Sequence, residues 1–139
     1  MMYLLDTNIL SELLKRQPNP GFVARLASKP AQWMFTSCIC VMELRFGSAL
    51  REDFEPFWTR ISEEILSRVN ILPLNLAEVI IAGDILAFLR RTGQPVAIED
   101  ALIAATALNH QCTLVTANTR HFANIGLLPL ENWLEEGGE

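Results

Sequence analysis

Short apolar runs and helical-period stripes alternate from one end of this 139-residue chain to the other, and that alternation narrows its fold more than any other feature. Apolar runs bounded by turn residues read as buried strands, whereas apolar residues recurring every three or four positions read as helices with one buried face. The pattern predicts an α/β architecture with a mostly parallel sheet flanked by helices, because parallel strands need crossover connections. Strands are expected at residues 3–5, 33–36, 71–74, 113–116 and 128–130. Phe54, Phe57, Trp58, Ile61, Ile65 and Val69 mark one helical stripe, and Leu76, Val79, Ile80, Gly83 and Leu86 mark another. Each is expected to pack on a core or a partner. Pro18-Asn19-Pro20-Gly21 parts a first helix from a short second one, and Thr92-Gly93-Gln94-Pro95 parts two long helices. Neither is long enough for an interdomain linker, so residues 1–139 read as a single domain, with 135–139 as a solvated, frayed tail.

Composition then removes whole classes of function. Half of the residues are hydrophobic, which excludes a disordered chain, and a formal net charge of -5 argues against a protein that coats nucleic acid through a broad basic surface. A nucleic-acid enzyme stays open, because clustered carboxylates lower the formal charge yet attract phosphate once they hold a divalent cation. Cys38, Cys40 and Cys112 are odd in number, suggest no disulfide framework, and no secretion signal opens the chain; a reducing cytoplasm is expected. Asp6 and Glu12 interrupt the first apolar stretch, and no later run approaches the roughly 18 apolar residues of a membrane span.

Against that apolar background a few acids stand out. Asp6 sits where a short apolar strand ends and a helix begins, the position from which side chains point into the ligand crevice of open α/β sheets. Glu43 lies in the apolar stretch Cys38-Ile39-Cys40-Val41-Met42-Glu43-Leu44, and Asp100 precedes Ala101-Leu102-Ile103-Ala104-Ala105. An unpaired buried charge is costly, so a cation is expected to compensate them. Asn118, just past the strand at 113–116, adds a neutral oxygen donor. Each residue has a plainer explanation: a helix cap for Asp6 and Thr7, a first-turn acid for Asp100, a turn for Asn118. Together, however, three acids and an amide form an oxygen-rich set suited to Mg²⁺ or Mn²⁺.

The flanking words add specificity. Leu4-Leu5-Asp6-Thr7-Asn8, Met42-Glu43-Leu44-Arg45-Phe46-Gly47, Gly93-Gln94-Pro95 through Asp100 to Ala105, and Val115-Thr116-Ala117-Asn118-Thr119-Arg120-His121-Phe122 resemble PIN-domain ribonucleases, most closely the VapC-type toxins of prokaryotic toxin–antitoxin modules. The resemblance runs from Tyr3 to Trp133. It implies a three-layer PIN-like fold, a Mg²⁺-dependent endoribonuclease acting on RNA, a small antitoxin partner that occludes the cleft, and a homodimer. It further implies that Asp6, Glu43 and Asp100 are the metal-binding acids. The fourth family position, often Asp, is Asn118 here, which predicts weaker or absent binding of a second ion. An inactive PIN-like binding module is the alternative.

Other constellations fit less well. Cys38-x-Cys40 with His110-x-Cys112 has tighter spacings than structural zinc knuckles. A receiver-like signalling module would need paired acids after the first strand and a late Lys, yet no Lys follows Lys29. Both histidines are expected at the surface and the three tryptophans in packing roles. Arg45 and Arg120, each two residues past a site candidate, suit phosphate clamping. The stripe over residues 54–69 is a candidate surface for the dimer or antitoxin.

Overall fold

The computed structural model describes residues 1–135, so the expected tail lies outside the described residues from 136 onward. Five strands, β1 (Tyr3–Leu5), β2 (Met34–Ser37), β3 (Asn70–Leu72), β4 (Thr113–Val115) and β5 (Leu130–Glu131), form one sheet in the order β3-β2-β1-β4-β5. Every pairing is parallel, with Tyr3 opposite Met34 on one side and Thr113 on the other. Parallel pairing forces crossovers, and helices supply them: α1 (Thr7–Glu12) and α2 (Pro20–Ala27), α3 (Cys38–Ala49) and α4 (Phe54–Glu64), α5 (Leu76–Arg91) and α6 (Ile98–Asn109), then α7 (Thr119–Phe122). The predicted α/β architecture is borne out.

This order explains where a site must lie. From β1 the chain steps outward to β2 and β3, then returns to place β4 on the other side of β1. A crevice therefore opens beyond the carboxyl ends of β1 and β4, where the winding direction reverses. Asp6 leaves β1 at that point, and Thr116 to Asn118 leave β4 beside it.

The sheet's centre is fully apolar. Leu4, Leu5, Leu114 and Val115 have no exposed surface, and each such Leu contributes about 1.5–3 kcal/mol of burial. Trp133 closes one side: its ring meets Tyr3 edge-on at 5.1 Å, and its Nε1 donates to Glu131 Oε1 at 2.8 Å. It packs, as the sequence suggests, with the Lys29 ammonium 5.4 Å above the ring. Between α5 and α6 the contact is made by Ala82, Ala101 and Ala105, whose small side chains allow close approach.

Several predicted boundaries shift for local reasons. Trp33 ends a 3₁₀ turn (Ala31–Trp33), so β2 starts one residue later than expected. β3 ends at Leu72 because Pro73 has no N–H for the ladder, and Asn70 joins it with its side-chain amide donating to Met34 O at 3.1 Å. β5 begins at Leu130, after Leu127 has taken a positive φ of 66°. The stripe over 54–69 is not one helix: α4 stops at Glu64, a 3₁₀ turn spans Leu66–Arg68, and Val69 runs into β3. Nor is it a free surface, since Ile61 and Ile65 are buried and Phe57, Trp58, Leu66 and Val69 pack against the core.

The α5 stripe, expected to pack on a core or a partner, divides: Leu86 packs against the Ala82, Ala101 and Ala105 cluster, and the residues before it face outward. Leu76 is 75% exposed and Val79 and Ile80 are also outward, while Glu78 has no exposed surface. A capping box explains the buried acid: Asn75 Oδ1 accepts from Glu78 N at 3.0 Å, and Glu78 Oε1 accepts from Asn75 N at 3.3 Å. Its other oxygen takes Asn109 Nδ2 at 3.0 Å. His110 Nε2 lies 2.8 Å from the same oxygen but out of line for a hydrogen bond. His110, expected at the surface, is thus tucked against a buried acid. α5 ends with Gly93 at φ 74°, where Gly93 N reaches Arg90 O and Gln94 N reaches Leu89 O at 2.8 Å. That cap sets the position of the Gln94 backbone at the start of the next loop.

Candidate metal centre

Asp6 is held from two sides. Its backbone N–H continues the ladder to Val115 O at 2.9 Å, which turns the side chain past the end of β1. Oδ1 accepts from Thr7 N at 2.8 Å and Oδ2 from Thr116 Oγ1 at 2.8 Å. The same Thr116 hydroxyl accepts from Asn118 N at 3.0 Å, so one side chain at the end of β4 couples Asp6 to the loop carrying Asn118. Asp6 does occupy a capping position, but its bond goes to the adjacent N–H, and the residue is only 6% exposed. Burial raises its pKa above the usual carboxylate value, against the pull of the Thr116, Thr7 and Cys40 hydrogen bonds and of the His121 charge.

Glu43 reaches the same place from α3. Thr7 Oγ1 donates to Glu43 Oε1 at 2.6 Å, so Thr7 clips both acids, one with its backbone and one with its hydroxyl. Partial burial raises the Glu43 pKa; Thr7 lowers it, and repulsion from Asp6, Asp100 and Glu99 raises it further. Asp100 enters from the first turn of α6, and burial, then Asp6, push its pKa up despite the neighbouring His121. Macrodipole stabilisation alone would act in the opposite direction. Asp6, Glu43, Asp100 and Asn118 all line one open cleft of about 480 Å³, whose far end is formed by Ser11, Glu12 and Lys15. Asn118 makes no capping bond with its side chain.

Cys40 is the neighbour that sequence reasoning passed over. Its sulfur lies 3.9 Å from Asp6 Oδ1, and ligand atoms of Asp6, Cys40 and Glu43 all fall within 4.8 Å of one another. Burial, then the Asp6 charge, drive its pKa to about 11, so it stays a thiol that donates to Asp6. The donor set offered to an ion is therefore carboxylate oxygen, which suits Mg²⁺ or Mn²⁺ and not a thiolate-seeking metal. Three carboxylates with raised pKa values around one cleft fit a divalent cation well. Cys38, His110 and Cys112 do not join Cys40 in this group among the described residues.

Thr116 and Asn8 also escaped the sequence reading, and Thr7, read there as a helix cap with Asp6, was not linked to Glu43. Asn8 Oδ1 accepts from Ala117 N at 3.3 Å, tying α1 to the loop after β4. The available signal was position: hydroxyl and amide residues directly beside Asp6 and Asn118 in the two strand-end words. Of the two arginines proposed as clamps, Arg45 turns away, its guanidinium stacked 4.4 Å over Phe54 and 4.9 Å over Trp58 of α4. Arg120 and His121 stand beyond Asp100, with His121 Nδ1 at 3.6 Å from Asp100 Oδ2 and exposed as expected.

A fold with its crevice at the β1/β4 switch point and carboxylates gathered there defines a class that comparison with known proteins makes specific. The PIN domain family model matches residues 3–127, and the chain belongs to that family. It is 34% identical to toxin FitB of Neisseria gonorrhoeae over 95% of this chain and 99% of that protein. VapC ribonuclease Y4jK of Sinorhizobium fredii is 31% identical over 95% of this chain and 98% of its own length. The crystal structure of FitAcB from N. gonorrhoeae superimposes with a TM-score of 0.87 at 34% identity, covering 97% of this chain and all of that one.

Proposed function

We propose that the chain is a metal-dependent endoribonuclease, the toxin of a toxin–antitoxin module, in which Asp6, Glu43 and Asp100 hold Mg²⁺ or Mn²⁺. The observation that carries this is the convergence of three acids from β1, α3 and α6 on one cleft, each with its pKa raised by burial. A ribonuclease and a toxin among its relatives support the substrate class and the biological role. When bound, such an ion would polarise a phosphodiester and acidify an attacking water. The chain's own residues do the rest. Thr7 and Thr116 fix the Asp6 and Glu43 carboxylates so that their orientation is set before substrate arrives. Asn118, neutral and exposed in the cleft, orients water through its amide, and no histidine base is required. Purified protein is expected to cut single-stranded RNA in millimolar Mg²⁺ and to stop when the ion is chelated. RNA binding without cleavage would instead favour the inactive module.

A toxin of this kind acts in the cytoplasm and is restrained by a small antitoxin; no helix among the described residues is long and apolar enough to cross a membrane. Residues 54–69, a candidate surface for either the dimer or the antitoxin, pack inward, so homodimerisation is assigned to the outward stripe of α5, where Leu76, Val79 and Ile80 leave an apolar face exposed. Ile80→Glu is expected to halve the mass seen by light scattering. An unchanged mass would remove this interface.

A further inference from the structure

Beyond Asp100 lies a second hollow of about 410 Å³, within the size range of ligand pockets, which shares the Asp100 wall with the acidic cleft. It is lined by apolar Leu89, Pro95 and Val96, by the amides of Gln94 and Asn124, and by the guanidinium of Arg120 and the imidazole of His121. Arg120 is exposed, and among the described residues no acid pairs with it. The other cations near the cleft are engaged: Lys15 Nζ sits 2.9 Å from Glu12 Oε1, and Arg45 is stacked on α4. In a chain of net charge -5, an unneutralised guanidinium beside the acids is the group a phosphate would meet.

We infer that this hollow is a subsite for the nucleotide adjoining the scissile phosphate of single-stranded RNA, an assignment that rests on the ribonuclease reading above. Arg120 binds that nucleotide's phosphate. The base lies against Pro95 and Val96, and Gln94 and Asn124 hydrogen-bond its edge. The chemistry matches: an unstacked base has an apolar face and a polar rim, and amide side chains pair with such rims. The aromatic ring on the lining is the His121 imidazole, 3.6 Å from Asp100 Oδ2, so a base can stack there as well as on Pro95 and Val96, and preference between bases comes from the edge hydrogen bonds. Gln94 is pre-positioned by the α5 cap, in which its N–H reaches Leu89 O, and its side-chain oxygen touches Thr92 Oγ1 only at 3.5 Å.

The test uses full-length protein with Mg²⁺, a set of short single-stranded RNAs and mapping of the cut ends. Arg120→Ala should raise KM about tenfold while kcat changes less than about twofold, because a charge-assisted phosphate contact is lost without touching the acids. Arg120→Lys should recover most of that loss, which a purely structural role would not predict. The double variant Gln94→Ala, Asn124→Ala should keep cutting but lose base preference beside the cut. An unchanged KM in Arg120→Ala together with an unchanged cut pattern in the double variant overturns the subsite and leaves the nuclease reading intact. Wild-type protein that leaves every RNA whole removes both.

Discussion

Asp6→Asn is expected to lower RNA cleavage on the order of a thousandfold or more while leaving the fold intact. The size of the effect follows from the site's economy of charge. Asp6 is the most buried of the three acids and touches both others electrostatically, so losing its charge removes the negative centre around which the cleft is built. Folding should tolerate the change, because Asn retains an oxygen to accept from Thr7 N. The lost partner is the second oxygen, which accepts from Thr116 Oγ1. Thr116 would then accept from the new amide as well as from Asn118 N, a rearrangement costing about 1 kcal/mol, offset by removal of a buried charge. Cleavage rates alongside circular dichroism check both halves; a variant that folds and still cuts at the wild-type rate would exclude Asp6 from the chemistry.

The second large effect concerns stability. Without a divalent ion, Asp6, Glu43 and Asp100 all have folded pKa values above their usual 3.8, 4.5 and 3.8. As pH rises through those usual values the unfolded chain releases its protons first, so the folded state binds more protons and stability falls with pH until the folded groups also ionise. Glu12 works in the other direction. Burial would raise its pKa, but Lys15 and the Asn19 N–H outweigh burial and hold it below 4.5; its contribution is lost only as pH falls through that lowered value. Metal-free protein should therefore lose melting temperature as pH rises from the usual carboxylate range, near 3.8 to 4.5, through the raised folded values of these three acids, and level off once they have ionised. A cation favours the ionised acids, so Mg²⁺ at about a hundred times its Kd should add about 2.7 kcal/mol and raise Tm roughly 5–10 °C at neutral pH, with less gain at the acidic end. Scanning calorimetry across pH with and without Mg²⁺ measures this. A melting temperature that ignores both pH and the ion would show that the three acids do not act on one another as described.

Much of this was legible in the sequence because it depends on patterns that tertiary context cannot easily override. The alternation of strand and helix periods and the strand-end Asp6 report burial, which the fold delivers, while Glu43 and Asp100 in their apolar words end up half-buried at the cleft. What escaped reading has specific physical causes. The 3₁₀ turn at Trp33 moves the start of β2 by one residue, and Pro73 moves the end of β3 by two. The apolar stripe of α5 turned outward because the capping box buries Glu78 on the opposite side, a partnership visible in principle as Asn75 followed three residues later by Glu. Arg45 and Arg120 are equivalent as sequence signals. Only the placement of Phe54 and Trp58 under Arg45 separates them. Thr7 read as a helix cap and Thr116 as an ordinary strand residue, since a hydroxyl declares its partner only once the strands and helices around it are assembled.

The most direct measurement is the position of Mn²⁺ in crystals of the metal-loaded protein, located by its anomalous scattering. The account predicts a principal peak within direct coordination distance of carboxylate oxygens of Asp6, Glu43 and Asp100, absent in crystals of Asp6→Asn. A peak elsewhere on the molecule, or one that survives in that variant, would contradict it.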